Sequence, residues 1–111
     1  MKVVITLHDE FKRQFKRLSK KYHSLIDDLE AFQKELMNDP FQGTDLGGGV
    51  RKIRMAISSK GKGRSGGARV LTLNVLLSGD VEITLLTIYD KNEIDNVSDD
   101  YIKWIVSEAM K

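Results

Sequence analysis

The sequence predicts an α+β fold in which a small antiparallel sheet packs against a helical hairpin. Apolar residues recur with helical spacing from about His8 to Pro40, and the pattern changes to a period of two between Val50 and Tyr89. Helical spacing returns after Ser98, so the predicted order of elements is β-α-α-β-β-β-α. A chain of 111 residues with 41% apolar content can bury one modest core, and we therefore expect a single domain over residues 1–111.

The N-terminal part is expected to form a strand and two helices. The β-branched run from Lys2 to Leu7 predicts a strand, and the acidic residues after His8 are typical of the first turn of a helix. The apolar face of that helix follows spacings of four, three and four residues: Phe11, Phe15, Leu18 and Tyr22. Ser24 is the expected N-cap of the second helix, and Pro40 ends it. The short turn between the helices predicts an antiparallel hairpin.

Three antiparallel strands are expected after a glycine-rich loop over residues 43–49. These strands are Val50–Ser58, Ala68–Leu77 and Val81–Tyr89. The second and third strands are apolar on both faces, which favours central positions in the sheet. A helix from Ser98 to Met110, with Ser98 as its cap, is expected last.

Positive charge is concentrated in one continuous region of the chain. No acidic residue occurs from Leu46 to Gly79, yet this region carries seven of the 18 lysines and arginines, whereas the overall net charge is only +2. The rest of the chain is therefore acidic on balance. A focused basic patch on an otherwise acidic protein favours an oriented encounter with a polyanion such as a nucleic acid.

Alternation on the first of the three strands places two of these charges on one face. The apolar residues of that strand point to the core, so Lys52 and Arg54 point away from it. Arg69 begins the next strand and is expected to reach the same face, where Tyr89 and Lys91 lie at the end of the third strand. Guanidinium groups bind phosphate oxygens bidentately and an aromatic ring stacks on an unpaired base, so this set suits a phosphodiester.

The loop between the first two of these strands has two interpretations. It contains the spacing GxGxxG, but that fingerprint binds dinucleotides only between a strand and a helix, and here it joins two strands. The loop is either a flexible connection that its charges keep soluble, or a clamp whose glycines let backbone N–H groups approach phosphates. The cations expected to contact RNA are Lys60, Lys62 and Arg64, with Arg51 on the preceding strand.

The composition argues against several other classes of site. The chain has no cysteine, and its two histidines, His8 and His23, are far apart, so no metal site and no cofactor are expected. The N-terminal apolar run is too short for a signal peptide, and no stretch approaches the length of a membrane span. We therefore expect a cytoplasmic protein that does not bind membranes.

The chain contains two distinctive segments, KIRMAISSKGKGRSGGARVLTLNV and VEITLLTIYDKNE. These segments, and the pattern from FKRQFKRLSKKYHSL through the last helix, resemble the RelE/HigB family of bacterial type II toxins. The resemblance implies a RelE-like fold and an mRNA interferase, which is a ribosome-dependent endoribonuclease that cleaves message in the ribosomal A site and inhibits translation. It also implies a cognate antitoxin, often of the helix-turn-helix type, and a toxin–antitoxin complex that binds operator DNA.

The resemblance also assigns roles to individual residues. The family's basic pair on the second strand, its arginine on the next strand and its basic residue after the last strand correspond here to Lys52, Arg54, Arg69 and Lys91. The family's catalytic tyrosine has two candidate matches, Tyr89 and Tyr101.

The reaction that the resemblance implies is attack by a ribose 2′-OH on the adjacent phosphate, with no metal ion. Lys52 would accept the proton, the two arginines would neutralise the phosphorane, and Lys91 or Tyr89 would serve the leaving oxygen. Two other functions stay open, namely a ParE-like inhibitor of DNA gyrase and a non-catalytic RNA-binding module. A gyrase inhibitor has no need of paired cations beside Arg69, whereas a simple RNA-binding module would not arrest growth.

Overall fold

The computed structural model describes residues 1–61 and 63–111, and its elements follow the predicted order. The helices and strands of the described residues are β1 (Val3–Leu7), α1 (Asp9–Ser19), α2 (Leu25–Asn38), β2 (Thr44–Gly47), β3 (Val50–Met55), β4 (Ala68–Leu77), β5 (Asp80–Asp90) and α3 (Asp99–Ala109). One turn of 3₁₀ helix, Ser58–Lys60, follows β3. The predicted α+β fold class is confirmed.

The short strand β2 lies within the glycine-rich segment that the sequence indicated as a loop. Its backbone pairs with β3, with Thr44 opposite Lys52, and a bulge interrupts the register further along. All four residues of β2 are exposed. Because a period of two in hydrophobicity needs one buried face, a fully exposed edge strand leaves no such pattern in the sequence.

The five strands form one mixed sheet in the order β1-β5-β4-β3-β2. The three strands recognised by their alternation, β3, β4 and β5, are antiparallel to one another as predicted, whereas β1 joins β5 in parallel. Both β4 and β5 have a neighbouring strand on each side, which confirms the placement inferred from their two apolar faces.

Two of the helices begin with a side-chain cap, and the sequence predicted the one at Ser98. At the start of α1, Nδ1 of His8 accepts a backbone N–H of the first turn at 3.1 Å, and Oγ of Ser98 caps α3 in the same way at 3.1 Å. The predicted side-chain cap of α2 is wrong: the hydroxyl of Ser24 donates to the carboxylate of Asp28 at 2.7 Å and accepts no N–H of the helix. The start of α2 is therefore tied to a carboxylate that also holds the loop after β3.

Helices cover both faces of the sheet. The hairpin of α1 and α2 packs on one face around a cluster that includes Phe11 and Leu36. The helix α3 packs on the other face, over a second cluster that includes Leu71, Tyr89 and Ile105. None of the helices in the described residues is long and apolar enough to cross a membrane. The face that carries Tyr89 is thus partly covered by α3.

The chain packs closely where the loop after β3 returns to begin β4. A Cβ on Gly67 would lie 2.2 Å from the carbonyl oxygen of Met55, so a larger residue would displace the backbone. The backbone N–H of Lys91 donates to the carbonyl of Gly67 at 3.3 Å. Gly67 therefore brings the ends of β3, β4 and β5 together, and the candidate site lies at these ends.

Candidate functional site

Three residues from neighbouring strands form a row across one end of the sheet. Arg54 on β3 lies directly opposite Arg69 on β4, and Arg69 lies directly opposite Tyr89 on β5. We call these three residues the cross-strand row. Lys52 lies two residues from Arg54 along β3, so its side chain projects from the same face. The structure thus brings together four of the five residues predicted to act in catalysis.

Burial increases along the cross-strand row from the edge of the sheet inward. Arg54 is exposed and Lys52 is half-buried, whereas Arg69 is 7% exposed and Tyr89 only 3%. From the sequence we expect the predicted catalytic residues to surround one concave, mostly polar surface. That prediction is wrong for the inner half of the row, because Tyr89 belongs to the apolar cluster under α3 and the loop after β3 contacts Arg69.

The guanidinium of Arg69 is held by backbone carbonyls. Its Nη1 donates to the carbonyl oxygens of Ala68 and Arg64 at 3.2 and 3.3 Å, and its Nη2 donates to that of Ser65 at 3.2 Å. Within the part of the chain that the structure describes, Arg69 forms no ion pair with a carboxylate. Carbonyl oxygens orient a guanidinium without neutralising it, so its positive charge remains for an anionic ligand.

A groove of about 230 Å³ lies along the β3 edge beside the cross-strand row. Lys52, Arg54 and Arg64 line it, and none of the described residues that line it is acidic. Arg64 also donates to the carboxylate of Glu35 at 2.7 Å, in an ion pair whose side chains are 55% and 42% exposed. Exposed pairs of this kind are weak, so a phosphate can compete for Arg64.

The hydroxyl of Tyr89 lies in a buried environment. Burial raises the pKa of its hydroxyl, an effect that the charge of Arg69 partly opposes and that of Asp95 reinforces. The phenol therefore stays protonated at neutral pH. Tyr89 also lines a cleft of about 280 Å³ together with Ile94 and Val97, which precede α3.

The second candidate tyrosine, Tyr101, fixes α3 in place. Its hydroxyl donates to the carboxylate of Glu10 at 2.9 Å and lies 3.1 Å from Oγ1 of Thr87. Burial acts to raise the pKa of Glu10, but hydrogen bonds from Tyr101 and Arg13 outweigh it and lower that pKa overall. Burial, reinforced by Glu10, raises the pKa of Tyr101 itself. The hydroxyl of Tyr101 thus joins α3 to α1 and to β5.

Replacing Tyr101 with phenylalanine is expected to destabilise the fold by about 1–3 kcal/mol, because the buried Glu10 carboxylate loses a hydrogen bond. Urea unfolding followed by circular dichroism measures this loss. Ser107→Ala, which removes an exposed hydroxyl from α3, is the control and should change the free energy of unfolding by less than about 0.5 kcal/mol. A Tyr101→Phe protein as stable as the wild type would contradict this role.

Lys60 occupies a different position from the one predicted. Its Nζ lies 2.8 Å from Oδ1 of Asp90, and its side chain is only 6% exposed. The ammonium group also lies 5.3 Å from the centre of the Tyr22 ring. Since this charge is buried and paired, the prediction that Lys60 contacts RNA is wrong for this structure.

The other predicted basic residues lie apart from one another. Arg51 projects from the opposite face of β3 to Lys52, and it donates to the backbone carbonyl oxygens of Gln42 and Gly43 at 2.9 and 3.2 Å. Lys91 is exposed one residue beyond the end of β5 and so lies near the cross-strand row. Lys62 lies outside the described residues.

Sequence reasoning missed the importance of Asp90. This residue is fully buried at the end of β5, and its carboxylate accepts hydrogen bonds from Lys60, the Tyr22 hydroxyl and the backbone N–H of Asn92. Burial acts to raise the pKa of Asp90, but these hydrogen bonds outweigh it and lower the pKa overall. The one signal in the sequence is an aspartate that ends an apolar strand. Lys60 and Tyr22 lie 30 and 68 residues away in the chain, so no local pattern identifies the network.

The fold and the site together identify the class of protein. A mixed sheet with a helical hairpin on one face carries a row of cations at one end, as expected from the resemblance noted in the sequence. The family model described as RelE toxin of RelE / RelB toxin-antitoxin system matches residues 8–111. The chain belongs to this RelE toxin family, and it is a toxin of a toxin–antitoxin system. Family membership implies an antitoxin partner.

Proposed function

We propose that this toxin is a ribosome-dependent endoribonuclease that cleaves translated mRNA in the ribosomal A site and so inhibits translation. The observation that supports this proposal most directly is the cross-strand row with Lys52 beside it. Its three cations, Lys52, Arg54 and Arg69, all come from the stretch between Leu46 and Gly79, which contains no acidic residue. Cations on one face suit a phosphodiester and the additional negative charge that develops on it during cleavage.

The proposed reaction is attack by a ribose 2′-OH on the neighbouring phosphate. A bond forms between phosphorus and the 2′ oxygen, and the bond from phosphorus to the 5′ oxygen breaks. The products are a 2′,3′-cyclic phosphate and a 5′-OH end. A base takes the proton of the 2′-OH, an acid protonates the 5′ oxygen, and no metal ion takes part.

The roles follow from the positions of the side chains. Lys52 is the proposed base, and Arg54 and Arg69 stabilise the phosphorane with their guanidinium groups. Tyr89 is the first candidate for the acid, because it lies opposite Arg69 in the row and its phenol is protonated at neutral pH. Lys91, exposed just beyond β5, is the second candidate.

The proposed target defines the partners. The toxin would bind the ribosome and its message in the cytoplasm, and phosphates on either side of the scissile bond would enter the groove lined by Lys52, Arg54 and Arg64. We further propose that the antitoxin is of the helix-turn-helix type and that the toxin–antitoxin complex binds operator DNA.

The test is inducible expression in a bacterium, followed by primer extension on one message and on the same message without its start codon. Cuts confined to the translated message are the expected result. Plasmid supercoiling is measured in the same cultures. Growth arrest with intact RNA and altered supercoiling would identify a gyrase inhibitor, whereas intact RNA without growth arrest would identify a non-catalytic RNA-binding module. Either result overturns the proposal.

A further inference from the structure

We infer that the buried Lys60–Asp90 ion pair positions the guanidinium of Arg69, through the loop that joins β3 to β4. This inference rests on the proposed function, since it assigns positioning residues to the same site. Asp90 is adjacent to Tyr89 in β5, so its side chain projects from the opposite face of the sheet to the cross-strand row. The pair therefore acts on the row through another part of the chain.

The Lys60 end of the loop is fixed by directional contacts. Its ammonium group donates to Oδ1 of Asp90 at 2.8 Å, while the Tyr22 hydroxyl donates to Oδ2 of the same carboxylate. The backbone N–H of Asn92 donates to Oδ1 at 3.0 Å. A carboxylate held by donors from three parts of the chain is a fixed anchor for the lysine.

The far end of the loop contacts Arg69 directly. The carbonyl oxygens of Arg64 and Ser65, four and five residues after Lys60, accept hydrogen bonds from Nη1 and Nη2 of Arg69. These are two of the three hydrogen bonds that hold the guanidinium. A shift in the loop would move both acceptors and rotate the guanidinium away from its present direction.

Several other contacts hold the described residues of the loop. The backbone N–H of Ser59 donates to Oγ of Ser24 at 2.9 Å, and Arg64 forms an exposed, and therefore weak, ion pair with Glu35 at 2.7 Å.

At the two ends of the loop, Ser58 donates its backbone N–H and its hydroxyl to the carboxylate of Asp28 at 2.9 and 2.6 Å, and Gly67 packs against Met55. Between these two ends, Lys60 carries the buried charge that ties the loop to the body of the protein. Its removal is therefore expected to release the segment that carries the two carbonyl acceptors.

The energetics favour a positioning role over a purely stabilising one. Replacing a buried ion pair with well-packed apolar groups of similar volume often leaves stability unchanged or increases it, because both charges lose their hydration on burial. The hydrogen bonds of the pair, in contrast, hold only in one geometry. The specific contribution of Lys60 and Asp90 is thus the conformation of the loop.

The first measurement compares Lys60→Met with Lys34→Met in the full chain. Lys34 forms an exposed ion pair with Glu30 at 3.6 Å, so the control makes the same chemical change without a buried partner. With ribosomes programmed with message, Lys60→Met should lower kcat about 10- to 100-fold and change KM less than about threefold, because misplacement of Arg69 affects the transition state most. Lys34→Met should match the wild type, and Lys60→Arg should recover most of the rate.

The second measurement reads the position of Arg69 without any catalysis. The side-chain Nε–H signal of Arg69 in a ¹H–¹⁵N spectrum should shift or broaden in Lys60→Met and stay unchanged in Lys34→Met. The double variant Lys60→Met, Asp90→Asn leaves no unpaired buried charge, so it serves if Lys60→Met does not fold. In the double variant, as in Lys60→Met, the Arg69 signal should shift or broaden and kcat should fall.

Three results would overturn the inference. They are an unchanged Arg69 signal in the folded variants, an unchanged kcat, and a loss of activity that comes entirely from a higher KM. If the wild-type protein cleaves no message, the proposed function fails, whereas the spectrum still decides whether the Lys60–Asp90 pair positions Arg69.

Discussion

Replacing Arg69 with alanine is expected to lower kcat for cleavage of translated mRNA by roughly 100- to 1,000-fold, the usual effect of removing one group that stabilises the transition state. Arg69 lies at the centre of the cross-strand row and is oriented by three carbonyl oxygens, so its charge is preorganised for a phosphate. Arg69→Lys keeps the charge but loses the bidentate geometry and should recover only part of the rate. Single-turnover cleavage on programmed ribosomes measures both variants.

Arg51→Ala is the matched comparison for Arg69→Ala. Arg51 also donates to backbone carbonyl oxygens, but from the opposite face of the sheet. Its replacement should change kcat less than about threefold, since it cannot reach a phosphate bound at the row. Circular dichroism establishes that both variants are folded. Equal losses in the two variants, or full activity in Arg69→Ala, would contradict the assignment of Arg69 to the reaction.

The sequence predicted the parts of the site that depend on regular alternation. Because side chains two residues apart on a strand share a face, Lys52 and Arg54 could be placed together without a structure. The turns between successive strands predicted the antiparallel arrangement of β3, β4 and β5, which brings Arg54, Arg69 and Tyr89 into register. The family resemblance, which the match of the RelE toxin family model to residues 8–111 confirms, added the candidate chemistry.

The sequence could not predict contacts that depend on the path of irregular segments. A lysine in a glycine-rich loop is usually exposed, and nothing in the sequence near Lys60 indicates that its charge is buried against Asp90. The loop holds Arg69 through hydrogen bonds to backbone carbonyls. Every residue type has such a carbonyl, so no side chain in the sequence indicates these contacts. The strand β2 is exposed throughout, so it has no alternation in hydrophobicity that would identify it. Nothing in the sequence pattern specifies that β1 pairs with β5 in parallel.

Replacing Asp90 with alanine is expected to destabilise the protein by about 3–5 kcal/mol at pH 7, because the buried Lys60 ammonium loses its carboxylate. The double variant Lys60→Met, Asp90→Asn removes both charges and should recover at least half of that loss. Asp27→Ala, at an exposed position in the first turn of α2, is the control and should cost less than about 1 kcal/mol. Urea unfolding gives the three free energies, and a double variant no more stable than Asp90→Ala would contradict the explanation.

The dependence of stability on pH is a second test of the Asp90 carboxylate. Burial acts to raise the pKa of Asp90, but the hydrogen bonds from Lys60, Tyr22 and Asn92 lower it overall on folding. A lowered pKa contributes stability that is present above the unfolded value of about 3.9 and is lost as the pH falls through the folded value. The free energy of unfolding of Asp90→Asn should therefore decrease less steeply than that of the wild type below about pH 4.

Glu10 also contributes to the dependence of stability on pH. The pKa of Glu10 is also lowered on folding, because hydrogen bonds from Tyr101 and Arg13 outweigh the effect of its burial. The wild type and Asp90→Asn should therefore both lose some stability in acid. The expected difference between the wild type and Asp90→Asn is the part that Asp90 alone contributes. The free energies of unfolding of the wild type and Asp90→Asn are compared from pH 7 to pH 3. If the two curves are parallel, folding does not lower the pKa of Asp90.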